Sequence, residues 1–347
     1  WLWGDGTQVP LNDSGSIWWG NGSGHGAGGS EPDNFNGTQH CLAIGLSGWP
    51  SAAPGFYGTA GQWNDINCAN KLTFAIQYPS AKIPQLERDA LVALYNSTDG
   101  ANWKDNTGWL GEIGTECDWF GVTCSSGIVT RLILNNNTLT GTIPSELGNL
   151  TNLTWLDLTR NSLSGGIPNE LGNLTKLTWL TLNSNYSLAG SIPGELGNLA
   201  NLKLLNLSDN AFSGNIPSEL GNLTKLTSIG LQNNSLSGSI PSELGSLTNL
   251  TALYAYNNSL SGTIPSELGS LSNLELIYLQ NNTLSGGIPI ELGKLTKARN
   301  LHLSDNSLSG NIPSELGSLT NLEELYLKNN SLSGSIPSEL GNLTNLI

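Results

Sequence analysis

The sequence contains no methionine, only three histidines, and only 13 lysine and arginine residues among 347. With so few cations and a formal net charge of -14, the chain is poorly suited to nucleic acid, whose binding depends mainly on neutralising phosphates. No apolar run reaches 18 residues, the length from which a transmembrane helix is inferred. The sequence therefore predicts no nucleic-acid partner and no membrane span in this segment.

Patterns that support catalysis are also lacking. His25, His40 and His302 fall in no spacing that would bind zinc or activate a nucleophile. Asp157 has no partner acid to form the carboxylate pair of a glycosidase, and the glycine-rich stretch 20–29 lacks the context of a phosphate-binding loop. We therefore expect no enzyme activity.

The dominant feature of the sequence is a repeat. Ile-Pro occurs nine times between Ile143 and Pro337, at steps of 24 residues with one step of 25, within the unit L-x-L-x-x-N-x-L-S-G-x-I-P-x-E-L-G-N-L-T-N-L-x-x. Units of this length bury their leucines only by stacking on neighbouring copies. Each unit predicts one parallel strand at L-x-L, a turn at the asparagine and a return segment after Ile-Pro. We expect an α/β repeat solenoid of about nine coils over residues 128–347.

The asparagine that follows each predicted strand has a structural interpretation. Its side-chain amide can bridge backbone groups of adjacent coils that no strand ladder would satisfy. The leucine and isoleucine columns form the predicted core, for example Leu156, Leu158, Leu163 and Ile167.

The L-S-G-x-I-P signature resembles that of the plant-type leucine-rich repeat family. The resemblance implies a parallel β ribbon with 3-10 or loop segments on the convex side. The last coil stops at Ile347 without a polar closing segment, so we expect the natural chain to continue or the open end to dock on another subunit.

Upstream of the repeats, residues 79–127 resemble the linker and N-terminal cap of the same family. They contain E-R-D-A-L-V-A-L-Y, Trp103, Trp109 and C-D-W-F-G-V-T-C. The resemblance implies a short helix and a disulfide between Cys117 and Cys124. A cap covers the apolar core that the first coil would otherwise expose.

Candidate ligand-binding residues lie at the variable positions that flank the strand leucines and point outward. Aromatic side chains that the core does not need suit stacking on sugar rings or anchoring of a protein partner, although strand propensity also favours them. The candidates are Trp155, Asp157, Trp179, Tyr254, Tyr256, Tyr278, His302 and Tyr326. A separate serine column leaves open a surface that orders water or ice, at Ser164, Ser213, Ser237, Ser261, Ser285, Ser309 and Ser333.

Residues 1–78 differ in composition, with many tryptophans and glycines and no leucine repeat. The segments W-L-W-G-D-G, E-P-D-N, Q-H-C and W-N-D-I-N-C resemble, in that order, the second half of a C-type lectin domain. The resemblance implies a small α+β lectin-like module with a disulfide between Cys41 and Cys68. The first half of that domain has no counterpart before Trp1, so we expect the chain to be a segment of a longer protein or to be completed by a neighbouring molecule.

The lectin resemblance also implies a calcium site. Carried over by motif, the ligands would be Glu31, Asp33, Gln39, Asn64 and Asp65, and oxygen donors of this kind suit Ca²⁺. The triplet E-P-D matches neither the mannose-type E-P-N nor the galactose-type Q-P-D signature, so the sugar stays open. The alternative is that the loop has lost its ion and W-N-D serves packing.

Cysteine usage and glycosylation motifs favour a secreted or cell-surface location. The cysteines form two close pairs, and 17 N-x-S/T tripeptides occur in the chain. Because neighbouring coils are only about 4.8 Å apart, we expect partial occupancy by N-linked glycans. The candidate sites are Asn136, Asn149, Asn173, Asn206, Asn222, Asn233, Asn257, Asn281 and Asn329.

Together these features predict an extracellular recognition and adhesion protein. It would bind glycan or protein ligands through a calcium-dependent lectin-like site and through the strand face of the repeats. The alternative is a glycosylated structural subunit of an extracellular fibre or coat that stacks through its open ends.

Overall fold

The structure, a computed structural model, describes residues 83–347 and the backbone of two short strands nearer the N-terminus. Contacts divide the chain into two compact units, Trp1–Gln77 and Tyr78–Ile347. In the first unit, β1 (Cys41–Ile44) and β2 (Trp63–Ile66) pair antiparallel. The predicted calcium ligands Glu31, Asp33 and Gln39 and the predicted disulfide partner Cys68 lie outside the described residues, as do the side chains of Cys41, Asn64 and Asp65.

The second unit begins with a helix and continues as a repeat of strands and 3-10 turns. Helix α1 spans Gln85–Ser97, and short 3-10 turns follow at Gly100–Asn102 and Glu116–Asp118. Two sheets then run along the repeats, the first ribbon with ten strands and the second ribbon with nine. Within both ribbons all neighbouring strands are parallel except β3 and β4, which are antiparallel.

The strands alternate between the two ribbons along the chain. The first ribbon consists of β3 (Val122–Ser125), β4 (Ile128–Ile133), β6 (Trp155–Asp157), β8 (Trp179–Thr181), β10 (Leu204–Asn206), β12 (Ser228–Gly230), β14 (Ala252–Tyr254), β16 (Leu276–Tyr278), β18 (Asn300–His302) and β20 (Glu324–Tyr326). The second ribbon consists of β5 (Thr140–Thr142), β7 (Ser162–Gly165), β9 (Ser187–Gly190), β11 (Ala211–Asn215), β13 (Ser235–Ser239), β15 (Ser259–Gly262), β17 (Thr283–Gly286), β19 (Ser307–Asn311) and β21 (Ser331–Ser333).

This arrangement confirms the predicted solenoid of parallel strands but corrects the number of strands in a coil. The repeat pattern predicts one strand per coil, whereas each coil from β5 onward contributes one strand to each ribbon. The second strand forms at S-L-S-G because its leucine points into the core while the serines point outward, the period-2 pattern of a half-buried strand.

A five-residue 3-10 turn closes each coil after Ile-Pro. The turns span Ser145–Asn149, Asn169–Asn173, Gly194–Asn198, Ser218–Asn222, Ser242–Ser246, Ser266–Ser270, Ile290–Lys294, Ser314–Ser318 and Ser338–Asn342. The glycine of each E-L-G step lets successive turns approach closely. A Cβ on Gly172 or Gly221 would lie 2.5 Å from the carbonyl oxygen of Glu195 or Glu243 in the next coil, which explains why the step has no larger side chain.

The leucine and isoleucine columns form one continuous core, as predicted. Leu156, Leu158 and Leu163 are fully buried, and Ile167 is 5% exposed. Full burial of such a side chain stabilises the fold by about 1.5–3 kcal/mol. The apolar faces of neighbouring coils cover one another, so the stack holds together without a separate globular core.

Residues 83–127 pack on the first coil. Leu91 and Leu94 of α1 are fully buried in the same core as the repeats, and a disulfide joins Cys117 to Cys124, whose Cα atoms are 5.5 Å apart. Four aromatic rings pack in succession beside this segment, with centroid separations between 4.7 and 6.0 Å, from Tyr95, Trp103, Trp109 and Trp119. The helical segment therefore continues the apolar interior of the solenoid.

Two buried glutamates fix the helical segment. Glu87 accepts the Val129 N–H at 2.7 Å, and burial raises the pKa of its carboxyl. Burial also acts to raise the pKa of Glu116, but the Glu116 and Gly114 N–H groups and the Arg88 guanidinium outweigh it, so the pKa of Glu116 is lowered. Arg88 forms an ion pair with Glu116, which joins α1 to the loop that follows.

The turn asparagines bridge adjacent coils. Asn258 donates to the carbonyls of Leu231 in the preceding coil and Ala255 in its own coil, at 3.0 and 3.2 Å. Its Oδ1 accepts the Leu236 N–H of the preceding coil at 3.0 Å. The same three contacts recur at Asn185, Asn234, Asn282, Asn306 and Asn330. The structural interpretation of these residues is confirmed.

Replacing one bridging asparagine tests this interpretation. Asn258→Ala leaves the Leu236 N–H without its partner, at a cost of about 1–3 kcal/mol. It also removes one amide donor each from the Leu231 and Ala255 carbonyls, which keep the amides of Asn234 and Asn282, and each lost hydrogen bond costs about 0.5–1.5 kcal/mol. We therefore expect a loss of about 2–5 kcal/mol, measured by urea denaturation. Asn249→Ala is the matched control, because the Asn249 amide also donates to a carbonyl of the preceding coil, that of Thr224 at 2.7 Å, but on the exposed surface. We expect the control to lose less than about 1 kcal/mol; equal losses would contradict the interpretation.

Candidate functional site

The candidate ligand-binding residues all lie on or just after strands of the first ribbon. Strand pairing sets Trp155 directly beside Trp179. Further along, it sets Tyr254 beside Tyr278 and Tyr278 beside His302. We refer to the outward side chains of Trp155, Trp179, Tyr254, Tyr256, Tyr278, His302 and Tyr326 as the aromatic face. The repeat pattern predicts a single surface for these side chains, and the structure groups them into two clusters.

The first cluster contains the two tryptophans. The rings of Trp155 and Trp179 lie 4.4 Å apart between centroids, and the Arg131 guanidinium lies 4.7 Å from the Trp155 ring centroid. The Nε1 atom of Trp155 is buried and has no hydrogen-bond partner among the described residues. Asp157 accepts the Thr159 N–H at 3.0 Å, so its carboxylate caps the turn after its own strand.

The second cluster is a ladder of rings on consecutive strands. Tyr254 and Tyr278 stack with a centroid distance of 5.3 Å and an angle of 24° between planes, and Tyr256 lies 6.3 Å from Tyr278. Burial raises the pKa of the hydroxyl groups of Tyr254, Tyr256 and Tyr278. These hydroxyls are therefore protonated at neutral pH and can donate hydrogen bonds.

His302 continues the ladder but is packed within it. The ring lies 4.4 Å from Tyr278 and 4.3 Å from Tyr326 between centroids, and the residue is only 8% exposed. Its Nε2 lies 2.7 Å from Glu324 Oε2, which also accepts the Asn300 amide at 2.6 Å. His302 therefore supports the neighbouring tyrosines and offers a ligand little surface of its own.

A groove of about 450 Å³ opens beside the ladder, and we call it the tyrosine groove. Its lining contains no Asp, Glu, Lys or Arg side chain among the described residues and consists of Leu204, Asn206, Ser228, Gly230, Gln232, Tyr254, Tyr256, Tyr278, Gln280 and His302. The Oε1 atoms of Gln232 and Gln280 are buried and have no hydrogen-bond partner within residues 83–347. Polar atoms in that state carry a free-energy cost that a bound ligand can remove.

Gly230 forms the floor of the tyrosine groove. A Cβ on this residue would lie 2.8 Å from Asn206 Oδ1 and 3.3 Å from Gln232 Oε1, so two carbonyl oxygens converge above it. Gly230, Gln232 and Gln280 are not among the site residues predicted from the sequence. A systematic alignment of the outward positions would have found them, because they occupy the same columns as Tyr254 and Tyr256.

The glycosylation candidates fall into three environments. Asn149, Asn173 and Asn222 end 3-10 turns and are exposed, as is Asn136 in its turn. Asn206 lines the tyrosine groove, where its Oδ1 accepts the Ser208 N–H at 3.1 Å.

The remaining candidates form a surface ladder. Asn233 donates to Asp209 at 2.6 Å, Asn257 to Asn233 at 2.6 Å, and Asn281 to Asn257 at 2.7 Å. Asn329 makes the equivalent bond to Asp305 at 2.6 Å. Side chains in direct contact leave no room for a glycan on each of two neighbours.

Neither a metal centre nor a spanning helix is found in the part of the chain that the structure describes. No group of three or more His, Cys, Asp or Glu side chains there is placed to hold a metal ion. No helix there is long and apolar enough to cross a membrane.

Profile comparison matches most of the repeats. The profile of a leucine-rich repeat region matches residues 131–259 and 188–311, and that of a single leucine-rich repeat matches residues 321–343. The matched residues cover more than half of the chain and coincide with the two ribbons.

Solved structures with the same fold include two plant receptors. The ectodomain of the membrane receptor kinase GASSHO1/SCHENGEN3 from Arabidopsis thaliana, in complex with CASPARIAN STRIP INTEGRITY FACTOR 2, is 40% identical, with 75% of this chain and 32% of that chain covered and a TM-score of 0.71. The Arabidopsis receptor kinase HAESA, in complex with the peptide hormone IDA and the co-receptor SERK1, is 36% identical, with coverage of 76% and 45% and a TM-score of 0.67. The chain thus spans less than half the length of these receptor structures.

A plant ice-binding protein is also similar. It is 28% identical, with 74% of this chain and 90% of that chain covered and a TM-score of 0.59. This match spans almost the whole of the similar protein.

Proposed function

The chain belongs to the leucine-rich repeat family, and from this membership we propose that it is an extracellular recognition module whose ligand binds across the aromatic face. Its similarity to the ectodomains of plant receptor kinases supports the proposal. The HAESA structure contains a peptide hormone and a co-receptor, so a peptide or protein ligand is the first expectation. The main support within this chain is the aromatic face, because half-exposed rings in this number are typical of binding surfaces.

The length of the aromatic face sets the size of the ligand. Seven strand spacings separate Trp155 on β6 from Tyr326 on β20, which corresponds to roughly 34 Å at about 4.8 Å per strand. An extended peptide advances about 3.3 Å per residue. A peptide of about ten residues that crosses the strands would therefore reach both clusters.

Ice binding is the second candidate function, and two observations favour it. The similar ice-binding protein is covered over 90% of its length. In addition, none of the nine strands of the second ribbon contains a charged residue, and their outward positions are mostly serine, threonine, asparagine and glycine. A flat, regular and uncharged hydroxyl surface is the feature that would order water.

A single set of variants separates the two candidates. Tyr278→Ser alters the first ribbon, and Ser261→Lys alters the second ribbon. Tyr186→Ser is the control, because Tyr186 is 74% exposed and lies outside both ribbons. Each protein would be assayed for binding to a library of synthetic ten-residue peptides and for inhibition of ice recrystallisation. We expect Tyr278→Ser to weaken peptide binding about tenfold or more, since it removes a central aromatic anchor, with the other two variants unchanged.

The outcomes of these assays are distinct. Absence of any binding peptide, or an equal loss in Tyr186→Ser, would contradict recognition through the aromatic face. Ice inhibition that Ser261→Lys abolishes and Tyr278→Ser preserves would establish the second candidate instead.

We propose a calcium-dependent lectin-like site in residues 1–78 as an additional function of the chain. The support is the order of its motifs and the strand β2, which carries Asn64 and Asp65 in W-N-D-I. Calcium at millimolar concentration should raise the melting temperature of the wild-type protein, and Asp65→Ala should remove that increase because a carboxylate ligand is lost. The control is Asp89→Ala, an exposed position in α1. A wild-type melting temperature that calcium does not change would exclude the site.

The proposed location is the cell surface or the extracellular space, with N-linked glycans. Because the ladder asparagines touch one another, we expect occupancy on alternate coils at most among Asn233, Asn257 and Asn281, measured by glycopeptide mass spectrometry of the native protein. A native chain without any glycan would contradict both the extracellular location and the alternative that the chain is a glycosylated fibre subunit. Filaments in electron micrographs would favour the fibre subunit.

A further inference from the structure

We propose that the tyrosine groove binds a neutral saccharide ring and does so without calcium. This inference rests on the proposed role of the aromatic face as a ligand surface and specifies what fills its deepest part.

The position of Gly230 leaves a gap in the ladder of rings. Tyr254 has Tyr278 stacked on one face of its ring, and the neighbour on its other side along the ribbon is Gly230, which has no side chain. Beyond Gly230 lies Asn206. Asn206 and Tyr254 are two strand spacings apart, or roughly 9.6 Å. A ring that entered midway would lie about 4.8 Å from each strand, within the range in which flat rings stack.

The polar groups in the gap require hydrogen-bond donors. Asn206 Oδ1 and Gln232 Oε1 converge above Gly230, and the second of these oxygens has no hydrogen-bond partner in the described part of the chain. Gln280 Oε1, on the far side of Tyr256 along the ribbon, is also without a partner. A ligand that supplies several donors around one ring would satisfy these oxygens, and the hydroxyl groups of a sugar have that arrangement.

The lack of a counter-charge in the groove favours neutral ligands among those that carry several hydrogen-bond donors. Among the described residues the only acidic or basic side chain that lines it is His302, whose Nε2 is already engaged by Glu324. A peptide terminus, a phosphate or a uronic acid would therefore lose its hydration without gaining an available counter-charge. A neutral sugar has no such cost. Its apolar C–H face can stack on Tyr254 while its hydroxyls meet Asn206 and Gln232, which accounts for the aromatic and amide composition together.

Calorimetric titration with glucose, N-acetylglucosamine and cellobiose, in buffer containing EDTA, tests the inference. The full chain would be produced without N-glycans, because a glycan on Asn206 would itself fill the groove. We expect at least one of these sugars to bind. Gly230→Val should weaken that binding about tenfold or more, because its side chain occupies the gap. Tyr254→Leu should do likewise, because it keeps apolar bulk but removes the flat ring.

Tyr186→Leu is the matched control, since it removes a ring that is 74% exposed and lies outside both ribbons, and it should leave the affinity unchanged. Three results would overturn the inference: no binding of any of the three sugars, equal affinity in Tyr254→Leu and wild type, or binding that appears only when calcium replaces EDTA. Peptide binding to the aromatic face together with no sugar binding would overturn this inference and leave the proposed function standing. Sugar binding that depends on Tyr254, without peptide binding, would support this inference and exclude a peptide as the ligand of the aromatic face.

Discussion

The side-chain amide of the turn asparagine is the interaction on which the rest of the solenoid depends. At Asn258 it satisfies one carbonyl of its own coil and both a carbonyl and an N–H of the preceding coil. The chain turns between the two ribbons at this point, where no ladder partner exists for these backbone groups. Because unsatisfied buried groups are costly, the amide fixes the spacing and the register of one coil against the next.

A fixed register converts a sequence repeat into aligned columns. Leucines fall above leucines, so that each coil buries the apolar surface of its neighbour. Outward residues align in the same way, and Tyr254, Tyr278 and His302 become a ladder of rings although they are 24 residues apart in sequence. A substitution at one outward position therefore changes the surface at a known place without disturbing the core. Gly230 shows this most clearly, since one missing side chain opens the tyrosine groove beside an unbroken row of buried apolar residues.

The repeat, the core columns and the outward direction of the aromatic residues could be predicted from the sequence because each depends only on period and alternation. The second strand of each coil was not predicted, since S-L-S-G is only four residues long and its serine and glycine residues are equally typical of a turn. His302 was predicted to meet a ligand, whereas contacts with Tyr278, Tyr326 and Glu324 bury it. Such burial, like the convergence of two amide oxygens above Gly230, depends on side-chain conformations in adjacent coils, which a pattern of letters does not specify. The calcium and disulfide predictions for residues 1–78 fall outside the described residues.

Native-state hydrogen exchange tests the central role of the bridging asparagines most directly. The N–H groups of Leu236, Leu260 and Leu284 donate to the side-chain oxygens of Asn258, Asn282 and Asn306, each at 3.0 Å. If these amides fix the register of the coils, the three leucine N–H groups should exchange as slowly as the N–H groups of the first ribbon, because both open only when coils separate. Exchange at the rate of exposed turn residues would contradict the account.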